Sequence, residues 1–87
     1  MLTDMLTADE AVKQIGSAVA SNRRVLGVDG FRIIPEGYIA ALDLILDVSN
    51  KLMTFETAAA KTVEFIRSNA ASDVVFEVVI ADAADGS

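Results

Sequence analysis

The chain has 87 residues, a formal net charge of −6 and a hydrophobic share of 53%, with no cysteine and no histidine. These counts exclude disulfides, thiolate metal sites, the usual zinc sites and any nucleophile activated by histidine. Thirteen acidic against seven basic residues argue against direct binding of a nucleic-acid backbone, which requires a basic surface.

The length predicts a single domain over residues 1–87, with frayed ends at residues 1–6 and 82–87. A domain this small buries only about 60–65% of the surface that its unfolded chain exposes. With disulfides and zinc excluded, burial against another chain is a remaining source of stability. The start lacks the features of a signal peptide, and no apolar run is long enough to cross a membrane, so we expect a cytoplasmic protein.

The first predicted helix begins after Thr7. Thr7 and Glu10 have the spacing of a capping box, in which each side chain accepts a hydrogen bond from the backbone of the other. Gly16 costs about 1 kcal/mol relative to alanine inside a helix, so we expect a neighbouring element to pack closely against it. The helix ends at Ser21-Asn22, and its predicted apolar face consists of Val12, Ile15, Gly16 and Val19.

A β-hairpin is predicted next, with strands Val25–Val28 and Phe31–Ile34. Asp29-Gly30 between them favours a two-residue type I′ turn, because both turn residues need positive φ. This turn would fix the register and place two pairs on one side of the sheet, Val28 opposite Phe31 and Leu26 opposite Ile33. Pro35 ends the hairpin, since proline cannot donate to a ladder.

A long helix is predicted over Tyr38–Leu52, because almost every residue outside one narrow stripe is apolar. The stripe contains Asp43 and Asp47. Its apolar arc is about twice the 100° that an ordinary surface helix needs, so this helix has to be covered on two sides.

Thr54 is the predicted N-cap of another helix over Phe55–Asn69, and Val74–Ile80 is β-branched and aromatic, which is typical of a strand. The predicted element order is α-β-β-α-α-β. It belongs to the α+β class, with a three-stranded sheet formed by the hairpin and the C-terminal strand, and helices packed on one face.

Two groups of charged residues have alternative interpretations. Asp43 and Asp47, four residues apart on a helix, are close enough to share a divalent cation, but the favoured interpretation is a solvated stripe. Arg23, Arg24 and Arg32 form either a small anion-binding patch or a structural group that protects the sheet edge and neutralises carboxylates. We expect no catalytic, cofactor or metal site.

The apolar excess predicts a non-enzymatic protein-interaction domain, most simply a homodimer. It would form through the Tyr38–Leu52 helix or, as a second route, through pairing of the final strands. The alternative function is a small acidic inhibitor or immunity-type protein, of bacterial or phage kind, that blocks a basic nucleic-acid-processing protein. The predicted interface residues are Tyr38, Leu42, Ile45, Leu46, Val75 and Val79.

Overall fold

Two helices and three strands follow one another in a computed structural model that describes residues 5–50 and 52–81. The strands form one antiparallel sheet in the order β2-β1-β3, which confirms the α+β class. The element order is α-β-β-α-β, one helix fewer than predicted. The elements are α1 (Ala8–Ala20), β1 (Val25–Ile34), β2 (Gly37–Asp47), α2 (Phe55–Ser68) and β3 (Val74–Ile80).

The predicted turn at Asp29-Gly30 is wrong, because β1 runs through both residues as the central strand. A type I′ turn needs positive φ at both of its central residues. Among the described residues, positive φ occurs only at Asn22 and Gly37. The two predicted hairpin pairs are therefore absent: Val28 lies between Leu46 and Val78, and Phe31 lies between Ala40 and Val75.

The chain reverses instead at Pro35-Glu36, where Ile34 pairs with Gly37 across a two-residue turn. Gly37 has φ of +138°, a conformation that residues with a side chain rarely adopt. The turn directs the next eleven residues back along β1.

The predicted helix over Tyr38–Leu52 is consequently wrong, since Gly37–Asp47 forms β2. The apolar run that was predicted to be a helix covered on two sides is a strand of the sheet. Pairing with β1 overrides the local helix preference of its leucine and alanine residues.

An irregularity in the β1–β2 register lies beside Gly30. Asp29 pairs with Ile45 and Phe31 pairs with Ala40, so residues 41–44 of β2 lie opposite Gly30 alone. We call residues 41–44 the bulge. A Cβ on Gly30 would overlap the Cβ of Leu44, so the missing side chain allows this close approach.

Both helices that the structure contains begin as predicted. The Thr7 amide donates to Glu10 Oε1 at 2.9 Å and the Glu10 amide donates to Thr7 Oγ1 at 3.3 Å, which confirms the capping box. Thr54 Oγ1 accepts from the Thr57 amide at 3.1 Å and caps α2. The final strand Val74–Ile80 is also confirmed.

The core lies between the helices and one side of the sheet. Phe76 is its largest fully buried side chain. Leu6 pairs with Phe76 along the edge of β3. Each backbone amide donates to the carbonyl of the other residue, with N···O distances of 2.8 and 2.7 Å. Leu6 was predicted to belong to a frayed end, but its backbone is paired with that of Phe76. Residues 1–4 and 82–87 lie outside the described residues, and their fraying stays a prediction. The buried hydrophobic cluster contains Ala11, Ile15, Ala18, Val25, Val28, Ala41, Leu44, Val48, Ala58, Ala59, Ile66, Val74 and Phe76.

Gly16 has no close neighbour among residues 5–50 and 52–81, contrary to the prediction. No heavy atom of these residues, apart from its chain neighbours and the backbone of α1, lies within 4 Å of the position that a Cβ would take. We therefore expect Gly16→Ala to raise the free energy of unfolding by about 0.5–1 kcal/mol, because alanine restricts the unfolded chain and favours the helix. Urea denaturation followed by circular dichroism measures the change. A destabilised variant would contradict the open environment of this position.

Candidate interaction surface

The side chains of the sheet separate into two sets, because successive residues of a strand point to opposite faces. Val28, Leu46 and Val78 are register partners, and all three belong to the core or pack against it. The residues that alternate with these three along each strand project from the opposite side of the sheet, which we call the outer face. It consists of Gly27, Asp29, Phe31 and Ile33 of β1, Tyr38, Ala40, Ile45 and Asp47 of β2, and Val75, Glu77 and Val79 of β3.

Four of the six predicted interface residues lie on the outer face. Tyr38, Ile45 and Val79 are exposed by 55%, 45% and 38%, whereas Val75 is buried beside Phe31. The alternation of a strand brings them together, although the helix on which two of them were predicted does not exist. Their role in an interface stays a prediction.

The other two predicted interface residues lie elsewhere. Leu42 belongs to the bulge and is 85% exposed. Leu46 is half-buried and packs against the core. The sequence analysis does not place Phe31 and Ile33 in the interface, because the predicted hairpin pairs them with Val28 and Leu26 on one wholly apolar face. The period-2 alternation beyond Gly30 was the available signal.

The outer face carries three carboxylates and no basic side chain. Asp29 and Glu77 are half-buried and lie directly opposite each other on β1 and β3, while Asp47 is the neighbour of Gly27 on β2. Among the described residues, neither Asp29 nor Glu77 has a salt-bridge partner, and the single ion pair joins Arg32 to Asp43. Like charges directly opposite each other destabilise a sheet. Because no described basic residue pairs with Asp29 or Glu77, their mutual repulsion is not compensated by a salt bridge.

The two edges of the sheet differ. Leu6 covers part of the β3 edge through its backbone pairing with Phe76. β2 pairs only with β1 among the described residues, so its other edge is open over Gly37–Asp47. This edge carries the exposed apolar side chains of Tyr38, Ile39 and Leu42. A long, apolar, open edge strand is a template for pairing with another chain.

Asp43 and Asp47 do not form a carboxylate pair, since the helix that would have brought them together is a strand. Asp43 lies in the bulge, Asp47 lies opposite Gly27, and each carboxylate has a hydrogen-bond partner of its own. The Arg32 guanidinium donates to both carboxylate oxygens of Asp43, at 3.2 and 3.1 Å, and this hydrogen bonding lowers the pKa of Asp43. Hydrogen bonds from the hydroxyl and amide of Ser49 lower the pKa of Asp47.

The remaining arginines of the predicted anion patch hold backbone carbonyls. Arg23 donates twice to the Ala81 carbonyl, at 3.2 and 2.9 Å. Arg24 donates to the carbonyls of Asn50, at 2.7 Å, and Met53, and its guanidinium lies 5.6 Å from the centroid of the Phe55 ring. Together with the Arg32–Asp43 pair, these contacts favour the structural interpretation of the three arginines.

A second apolar surface lies between the two helices. It is an open groove of about 770 Å³, and it contains the face that the sequence predicted for the core side of α1. Val19 is exposed there, and Gly16 widens the groove because it lacks a side chain. Its lining residues are Val12, Ile15, Gly16, Val19, Ala59, Ala60, Val63, Glu64, Arg67 and Ser68.

Comparison with protein-family models, with curated proteins and with solved structures finds no match to this chain. Among residues 5–50 and 52–81, no three acidic side chains lie close enough to hold a metal ion. No helix in this part of the chain is long and apolar enough to cross a membrane.

Proposed function

We propose that the protein is a non-catalytic protein-interaction domain that forms a homodimer through the open edge of β2. The observation that supports it is the exposed apolar edge over Gly37–Asp47, in contrast to the partly covered edge of β3. Most of this edge belongs to the Tyr38–Leu52 segment that the sequence predicts to be buried between copies, although it forms a strand and not a helix. Backbone pairing of two such edges would supply hydrogen bonds that one copy leaves to water.

An antiparallel pair of β2 strands centred on Leu42 brings no carboxylates together. In that register Leu42 lies opposite its own copy, and Ile45 lies opposite Ile39 of the second copy. Asp47 lies opposite Gly37 of the second copy, so no carboxylate faces another in the regular parts of β2 on either side of the bulge. The contact is apolar and self-complementary, as an interface around a two-fold axis has to be.

The outer face and the β3 edge fit self-association less well than the β2 edge. Packing two outer faces against each other would bring Asp29, Glu77 and Asp47 near their copies without any basic residue between them. Pairing through β3 would first have to displace Leu6 from Phe76. The β2 edge avoids both costs, and its use leaves a closed dimer, since Leu6 blocks continued growth at that part of β3.

A lysine at position 42 tests this arrangement. We expect the unmodified chain to have about twice the 9.2 kDa mass of one copy at micromolar concentration, and Leu42→Lys to weaken the dimer by tenfold or more, on the order of 1.4 kcal/mol. Two lysines would meet at the two-fold axis, where like charges repel and edge pairing is disfavoured. Sedimentation equilibrium measures both masses.

The matched control is Leu52→Lys, which makes the same change at a leucine that is 92% exposed and lies outside β2. We expect this variant to dimerise like the unmodified chain. A mass of about 9 kDa for the unmodified chain would contradict the homodimer. Equal weakening by the two substitutions would contradict the role of β2.

A further inference from the structure

We infer that the outer face of the sheet is a docking surface for a basic amphipathic helix of another protein. This inference extends the proposed interaction function, but it uses a different surface and does not depend on dimerisation through β2. It is carried by an apolar sheet face that the core leaves uncovered, together with the charges on that face.

The apolar part of the surface is continuous across all three strands. Ile33 pairs with Tyr38, and Phe31 lies between Ala40 and Val75. Ile33 and Tyr38 are exposed, although both are large hydrophobic residues. Three strands about 4.8 Å apart offer a width comparable to the 10–12 Å diameter of one helix. A single helix laid along the face would therefore cover this apolar area.

The carboxylates determine which helix fits. Asp29 and Glu77 lie side by side between the row of Phe31 and Val75 and the row of Gly27 and Val79, half-buried and without a salt-bridge partner among the described residues. Asp47 adds a third negative charge on the same face. Lysine or arginine side chains at the margin of the docked helix would neutralise all three. An acidic helix would be repelled, and a second copy of this face would bring carboxylates only.

The probe is a fluorescein-labelled peptide of about 18 residues, built from leucine and lysine so that leucine occupies one face of a helix. Two control peptides are used. The first has the same composition in scrambled order, and the second has the same pattern with glutamate in place of lysine. Fluorescence anisotropy at about 50 and 300 mM salt reports binding and its electrostatic share. We expect the patterned lysine peptide to bind and to weaken as salt rises, whereas the other two bind at least tenfold more weakly.

Two double variants with the same change in net charge locate the contact. Asp29→Asn with Glu77→Gln removes two charges from the outer face, and Glu56→Gln with Glu64→Gln removes two exposed charges from α2. We expect the first pair to weaken peptide binding about tenfold and the second pair by less than twofold. Repeating the titration with Leu42→Lys separates this surface from the dimer, because loss of dimerisation should leave peptide binding unchanged.

The melting temperature shows whether the first pair still folds. Removing two adjacent like charges should raise it by about 1–8 °C at low salt, because the repulsion between them is relieved. A lower melting temperature would overturn the premise that these carboxylates lack a counter-charge. Docking on the outer face is also overturned by equal binding of the scrambled peptide, equal loss in the two double variants, loss in the α2 pair alone, or no binding of any peptide.

Discussion

Phe76→Ala is expected to lower the free energy of unfolding by about 3–5 kcal/mol, the usual cost of removing a buried phenylalanine. Phe76 has 0% exposure and lies at the centre of the core on β3, beside Gly30 of β1. A chain of this length is stabilised by about 4–13 kcal/mol in total. The substitution would therefore remove a large part of the stability, and urea denaturation followed by circular dichroism measures the loss.

Phe55→Ala is the matched control for Phe76→Ala. Phe55 lies at the start of α2, is only half-buried and stacks beneath Arg24. Its truncation leaves no enclosed cavity, so we expect a clearly smaller loss. Equal losses for the two phenylalanines would contradict the position of Phe76 at the centre of the core.

Gly30→Ala is expected to destabilise the protein by about 1–3 kcal/mol, the typical cost of forcing extra volume into a packed interior. The new Cβ would overlap the Cβ of Leu44 and lie 2.9 Å from the Leu44 carbonyl oxygen. The bulge of β2 would have to move away from β1 to admit it. The same denaturation experiment reports the loss, and exposure of Leu44 should increase hydrogen exchange along β2.

Gly16→Ala makes the chemically identical change with the opposite expected sign, since Gly16 faces open space whereas Gly30 faces Leu44. The pair therefore tests the environment of each glycine separately from the general effect of alanine. A neutral or stabilising Gly30→Ala would be incompatible with the close approach of the bulge to β1.

The elements that sequence reasoning predicted correctly carry their signals within a few neighbouring residues. The Thr7–Glu10 capping box and the Thr54 cap begin helices at the expected residues. Val74–Ile80 is a strand, as its β-branched and aromatic composition predicts. Such signals act through hydrogen bonds and side-chain packing along one element, so they do not depend on where the rest of the chain lies.

The errors concern residues whose local signals fit more than one structure. Asp29-Gly30 favours a turn in isolation, but in the fold it continues β1, and Gly30 gives room to Leu44. The apolar run after Gly37 fits a buried helix or a buried strand, and periodicity alone does not separate the two. The turn at Pro35-Glu36 makes it a strand by returning it to β1.

The membership of the outer face also depends on more than local signals. An apolar excess is visible in the sequence, and Tyr38, Ile45, Val75 and Val79 were identified as its members. Their shared face, its extension to Phe31 and Ile33, and the placement of Asp29 beside Glu77 depend on strand order and register. Register arises from contacts between residues distant in the chain.

Composition alone excludes disulfide, thiolate and histidine chemistry, and it predicts one small acidic domain with more apolar residues than a core of its size requires. Local patterns add the two capped helices and the final strand. The position of the apolar excess depends on the tertiary structure, because pairing with β1 turns Gly37–Asp47 into an edge strand and determines which side chains of the sheet remain exposed. Hydrophobicity is a property of each residue, but exposure is a property of the neighbours that the fold provides.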